Sequence, residues 1–225
     1  MSKKIDNYVV KKPWGSEYII CKNSKTATWL LNLNYKKKTS LHCHPKKKTG
    51  FILLSGSVEV MLGFYDKRIL KAPSKLMIRP GLFHSTKAIS KKGAVVLEIE
   101  TPINKDDLVR YKDSYGRENK PYEGKNKMRR KDSKTLEFKI PKINSTNIYK
   151  FKNLEITTEK HSIKKNLTNR HKNTIFAVLD GGLVDLKKQY VLSPGDIVRT
   201  DTIKKLSKVF KINKKISILT CRKVK

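Results

Sequence analysis

Apolar residues along this 225-residue chain come in short runs that alternate with polar ones, and almost nowhere do they recur at helical spacing. Glu17 to Cys21, Thr28 to Leu33, Gly50 to Leu54, Ser57 to Leu62, Leu76 to Arg79 and Ala94 to Ile99 are bounded by Gly, Pro, Asn or Ser and read as strands. Their spacing predicts an all-β protein, an antiparallel sandwich or a closed barrel. Between Asp106 and Asp132 the composition shifts to Lys, Asp, Tyr, Gly and Arg, as in a long surface connection. Within it, Lys125 to Lys134 is almost wholly polar or charged and reads as a solvated linker. Strand-like texture returns after Phe138 and ends in an apolar run from Ile216 to Cys221.

The second half echoes the first. Thr49 to Val58 and Thr174 to Leu183 are each a threonine, an apolar strand and a glycine turn. Leu70 to Arg79 likewise parallels Val191 to Arg199. Two copies of one β-barrel plan are the economical reading. This divides the chain into a first barrel with its exit segment (1–124), a linker (125–137) and a second barrel (138–225).

The formal net charge of +33 raises three options: a lysine-rich solvated surface, tuning toward a small anionic substrate, or nucleic-acid binding. Nine arginines stand against 43 lysines, spread over the whole length with no nucleic-acid motif, so nucleic acid is not the expected partner. No stretch approaches the roughly 20 apolar residues of a membrane helix, and no secretory apolar run opens the chain. The sparse cysteines Cys21, Cys43 and Cys221 fit a reducing cytoplasm better than a disulfide framework.

The chemistry concentrates in histidines. His42 and His44 are one residue apart, and His84 follows a Pro80-Gly81 turn. In a strand the first two project to one side while Cys43 points away as a small hydrophobe. A third imidazole from another strand would close a face of neutral nitrogen donors suited to a catalytic metal. The bland alternative is polar side chains satisfied by a wet barrel mouth. In the second half, Leu167 and Asn169 stand where the pair would be, and no histidine follows Arg199, so that half reads as metal-free.

Residues 10 to 120 resemble the cupin superfamily, and within it the cupin domain of type II mannose-6-phosphate isomerases. The resemblance rests on His42-Cys43-His44, Gly56, Pro80-Gly81 and His84, with Lys12-Pro13-Trp14-Gly15-Ser16-Glu17 at the entrance and Asp106 to Arg117 as an exit motif. It implies two cupin barrels (double-stranded β-helix, or jelly-roll), the second degenerate. It also implies a divalent zinc, iron, nickel or manganese ion on His42, His44 and His84. The motif's glutamate position carries Thr49 and its glutamine ligand is replaced by His42, so the ligand set loses one negative charge.

Thr49 shares strand parity with Phe51 and should look into the cavity, as a hydrogen-bonding hydroxyl or as filler. Glu98 and Glu100 share one face of their strand. They either replace the missing carboxylate, as ligand or general base, or pair with lysines outside. By resemblance Arg117 folds back over the mouth to steady a developing anion, with Tyr115 beside it at the substrate. Arg79 is a candidate cavity cation, whereas Trp14 and Glu17 are expected to anchor the first strand. The implied activity is aldose–ketose isomerisation of a phosphorylated sugar or related small anionic carbohydrate. A three-His iron dioxygenase and a non-catalytic sugar- or anion-binding cupin stay open, and the resemblance allows a homodimer.

Overall fold

The computed structural model describes residues 2–104, 106–118 and 125–224. The first part of the chain forms β1 (Tyr8–Lys12), β2 (Gly15–Lys22), β3 (Ala27–Leu33), β4 (Leu41–Cys43), β5 (Lys48–Ser55) and β6 (Ser57–Leu62). It continues through β7 (Asp66–Lys71), β8 (Ser74–Ile78), β9 (His84–Ala88), β10 (Ala94–Thr101), β11 (Val109–Lys112) and β12 (Met128–Arg130). The remainder holds β13 (Thr146–Phe151), β14 (Leu154–His161), α1 (Lys165–Thr168), β15 (Ile175–Val184) and β16 (Tyr190–Leu192). It ends with β17 (Ile197–Arg199), α2 (Thr200–Val209) and β18 (Lys211–Lys223). No helix among the described residues is long and apolar enough to cross a membrane.

Three antiparallel sheets result. The first runs β12-β1-β2-β3-β10-β5-β8, the second β11-β4-β9-β6-β7, and the third β13-β14-β18-β15-β16 with β17 also on β15. From β3 to β11 the chain weaves between the first two sheets, which is the jelly-roll plan. The sheets are open at their edges and do not close into barrels.

Burial explains the sequence texture. Strand β6 faces one core only, so Val58, Val60 and Leu62 point inward and the residues between them do not. Strands β3, β5 and β10 are near-continuous apolar runs because the first sheet is covered on both faces. On one side Trp29, Leu31, Phe51, Leu53 and Val96 pack against the second sheet. On the other, Leu30, Ile52, Leu97 and Ile99 pack against Ile156, Ile175, Ala177 and Leu219 of the third. A further core of Phe176, Val178, Ile216 and Ile218 lies beneath Leu167 of α1 and Ile203 of α2.

The expectation of two barrels is therefore corrected. The pairings β14-β18-β15-β17 reproduce β3-β10-β5-β8, so the internal repeat is real for one layer. Its echoed glycines both need positive φ: a Cβ at Gly56 would meet Gly93 O at 2.3 Å, and one at Gly181 would meet Lys215 O at 2.0 Å. The opposing sheet of a second barrel is replaced by helices among the described residues. Ile203 and Leu206 of α2, with Phe210 just beyond its end, form an apolar stripe at a spacing the sequence displays but strand-oriented reading passed over.

Most of Lys125 to Lys134 is exposed, as expected of a solvated segment, but part of it is strand. Residues 128–130 pair with β1, Phe138 N donates to Ile20 O at 2.8 Å, and Phe138 is buried in the shared core. The boundary expected at 124 lies outside the described residues.

Because both halves share one core, damage in the second should loosen the first. Ile156→Ala should cost about 2–5 kcal/mol. Both tryptophans, Trp14 and Trp29, lie in the first half. Their fluorescence and the far-ultraviolet dichroism should therefore shift together to lower denaturant in a single transition.

Candidate metal centre

The three histidines converge through strand register. His42 in β4 stands directly opposite His84 at the start of β9. His44 follows β4, and its carbonyl accepts the Gly81 N–H at 2.9 Å, tying the two ligand segments together. Gly81 sits at φ +74°, a conformation that glycine adopts without steric cost. Ring centroids are 4.4 Å apart for His42 and His84, 5.1 Å for His42 and His44, and 5.6 Å for His44 and His84. One nitrogen from each ring lies within 4.8 Å of the others. Cys43 is buried.

Backbone acceptors aim these rings. His42 Nδ1 lies 2.8 Å from Ser40 O, His44 Nδ1 lies 2.6 Å from Asp107 O, and His84 Nδ1 lies 3.0 Å from Leu82 O. A carbonyl can only accept, so each Nδ1 carries a proton, and in the neutral ring the Nε2 presents a lone pair. His84 Nε2 is buried with no hydrogen-bond partner, an expensive arrangement unless something binds there. Burial, then repulsion from His84 and His44, pushes His42 well below the usual imidazole range. Burial likewise pushes His84 down to about 4. Neutral, pre-aimed nitrogen donors are what a divalent transition metal needs, so the residues present fit such an ion.

An acidic wall stands beside the trio. A ligand atom of His44 and one carboxylate oxygen each from Glu98 and Glu100 lie within 4.8 Å of one another. Both glutamates leave β10 on its cavity side, while Leu97 and Ile99 enter the shared core. Glu100 is buried, accepting from Lys47 Nζ at 2.9 Å and from Trp29 Nε1 at 3.1 Å. The alternative of pairing with exterior lysines is thus overturned for Glu100. Its cation, Lys47, is 2% exposed.

The cleft, about 650 Å³ with its open mouth, is lined by these residues and by Lys12, Arg110 and Arg117. Arg117 Nε and Nη2 donate to Asp113 at 3.0 and 2.8 Å, fixing the guanidinium. Burial alone would raise the Asp113 carboxyl, but hydrogen bonds and charge from Arg117 outweigh it and hold that group below the usual range.

The other expected contacts resolve differently. Arg79 is exposed beyond β8 and does not line the cleft, because Leu76 and Ile78 take the inward parity. Tyr115 does not line it either: its hydroxyl accepts from Lys38 N at 3.3 Å, and its ring lies 5.5 Å from the Arg117 guanidinium carbon. Thr49 is buried opposite Glu100 and outside the cleft lining. Trp14 and Glu17, expected as strand anchors, do line the cleft.

Two residues escaped the sequence reading. Arg110, in register with His42, supplies the cavity cation expected of Arg79. Asp107 accepts from Lys46 N and Lys47 N at 3.1 and 2.8 Å while its own carbonyl holds His44. Both lie within the exit motif, the one signal that pointed toward them.

No protein-family model matches this sequence, and no curated protein matches it. Solved structures are similar to it. One is a Klebsiella pneumoniae protein with a double-stranded β-helix domain, at 15% identity and TM-score 0.40 over 43% of this chain and 79% of that one. Another is KdgF from Halomonas sp., at 16% identity and TM-score 0.40 over 44% of this chain and 90% of that one. A third is the cupin domain of Schizosaccharomyces pombe Cnp3, at 15% identity and TM-score 0.37 over 38% and 63%.

The depressed histidines give a signed pH dependence for metal-stripped protein. Unfolded imidazoles bind protons below about 6.5, and folded His84 does so only near 4. Stability should be complete above that window and fall as pH drops through it, by about 1.4 kcal/mol per pH unit for each such histidine. Urea unfolding between those pH values checks this, with a shallower slope expected for His84→Gln.

Proposed function

We propose that the chain is a metal-dependent cupin enzyme acting on a small phosphorylated or otherwise anionic carbohydrate, moving a proton between adjacent carbons as an aldose–ketose isomerase does. The observation that carries this reading is one cleft holding three converging imidazoles, two carboxylates and fixed cations. Oppositely charged groups lie within a few ångströms of one another there, which a structural core would avoid.

His42, His44 and His84 would hold a zinc, iron, nickel or manganese ion, which supplies Lewis-acid polarisation of substrate oxygens. Glu98, the less buried carboxylate, takes the carbon-bound proton and returns it to the neighbouring carbon. Glu100 is gripped by Lys47 and Trp29, and so keeps the floor beside His44 in place. Arg117, braced by Asp113, offers a planar guanidinium to the developing oxyanion or to phosphate, and Arg110 adds a second.

A second reading, a three-His iron dioxygenase, is favoured by the all-imidazole trio. Oxygen uptake dependent on ferrous iron would select it.

The direct assay is conversion of mannose 6-phosphate to fructose 6-phosphate by metal-loaded protein. Turnover is expected, with Glu98→Gln lowering it by about 10²–10⁴-fold at unchanged metal content. His42→Ala with His84→Ala should abolish metal stoichiometry. Absence of turnover with any hexose phosphate would overturn the isomerase reading.

A further inference from the structure

A second concentration of charge lies away from the metal centre, on the seam between the jelly roll and the third sheet. An open cleft of about 1380 Å³ is lined by Pro73, His171, Lys172, Arg199, Arg222 and Lys223, among others. It shares His171 and Arg222 with a pocket of about 440 Å³ that is also lined by Thr157, Thr174 and Thr220. It shares Pro73 and Lys223 with a third hollow of about 660 Å³ that adds Lys71 and Lys152. The three make one trough, and none of their lining residues borders the metal cleft.

Its charge is one-sided. Among the described lining residues Glu155 is the one carboxylate, engaged by Arg222 Nε at 2.7 Å. No ion pair among the described residues engages Lys172, Arg199 or Lys223. These cations come from separate elements, so folding gathers them against their mutual repulsion. That repulsion is visible at Lys75, whose ammonium is disfavoured by burial and by the neighbouring Arg199. Beneath the pocket, Glu159 is 1% exposed and grips both nitrogens of the Arg170 fork as well as His161 Nε2. This clamp fixes the foot of the segment that carries His171 and Lys172.

The lining chemistry selects the ligand. Guanidinium forks, ammonium groups and threonine hydroxyls suit phosphate oxygens. No Phe, Tyr or Trp lines the trough among the described residues, so nucleobases lack a broad stacking platform. We infer that this trough is a binding site for a small, multiply charged phosphate compound, with Glu155 holding the Arg222 guanidinium until the anion displaces it. The inference does not depend on the proposed reaction.

The test is calorimetric titration of the full chain with inorganic tripolyphosphate at about 0.15 M salt, where diffuse attraction is screened. Saturable one-to-one binding is expected. The Arg199→Gln, Arg222→Gln double variant should weaken it by about tenfold or more, which is about 1.4 kcal/mol. Lys187→Gln with Lys188→Gln removes the same charge from the exposed β15–β16 turn and should change affinity by less than about twofold.

Glu155→Gln should tighten binding several-fold, whereas Glu137→Gln, an equal charge change at the distant Lys131 pair, should not. This second comparison decides the matter if the double arginine variant fails to fold. Equal effects at trough and control positions, or unsaturable binding, would overturn the site in favour of net charge alone. Loss of binding on His42→Ala with His84→Ala would overturn it by placing the anion in the metal cleft. Tighter binding of a single-stranded oligonucleotide than of tripolyphosphate would overturn the ligand class.

Discussion

The central strands of the seven-stranded sheet are covered on both faces, and most of the molecule follows from that. A sheet with one wet face can give every second position to a charge. Here β3, β5 and β10 are mostly apolar on both sides, and the carboxylates they carry enter the metal cleft. Glu98 and Glu100 are the exceptions on β10, and both are spent in that cleft. Burying a carboxylate such as Glu100 costs several kcal/mol unless it is paired, which accounts for a lysine at position 47 that is almost wholly enclosed. The same constraint shapes the second half, whose third sheet supplies the cover that the outer face of the first requires.

The imidazole trio shows how little local machinery a metal face needs when the backbone does the aiming. Three carbonyls, at Ser40, Leu82 and Asp107, select one tautomer for all three rings. Two of these are only two residues from the histidine they serve, so geometry at the starts of β4 and β9 suffices. The third comes from the exit segment, which also braces Arg117 through Asp113 and brings Arg110 alongside His42. Ligand orientation and substrate-facing charge therefore share one stretch of chain.

Most of the first jelly roll was legible because its signals are local. The strand expected from Ser57 to Leu62 has those bounds in the structure, and those expected at Thr28, Gly50 and Ala94 lie within observed strands. Strand β7 was not legible, since its residues are almost all exposed and carry no apolar alternation. Helix α2 was missed because three apolar residues over its ten positions look sparse beside so many lysines. Strand parity brought His42, His44 and His84 together on paper, as the structure does in space. Parity could not place Tyr115, Asp107 or Arg110, whose positions depend on how the exit segment folds across the mouth. The repeat was visible, but whether a second sheet opposed its copy depended on strands that are not found among the described residues.

Gly50 lies on β5 between Thr49 and Phe51, with its bare side turned toward Ile197. A methyl group added there would come within 2.5 Å of Ile197 Cδ1 and 2.8 Å of Cγ1. The strand bordering the cleft is thus keyed to a residue on β17, almost 150 positions downstream. Bulk gained at position 50 forces the Ile197 side chain to move, and it presses on Met77 Sδ at 3.1 Å as well. A chimera that joins this amino-terminal half to another protein's carboxy-terminal half must reproduce that knob and socket before its strands can seat.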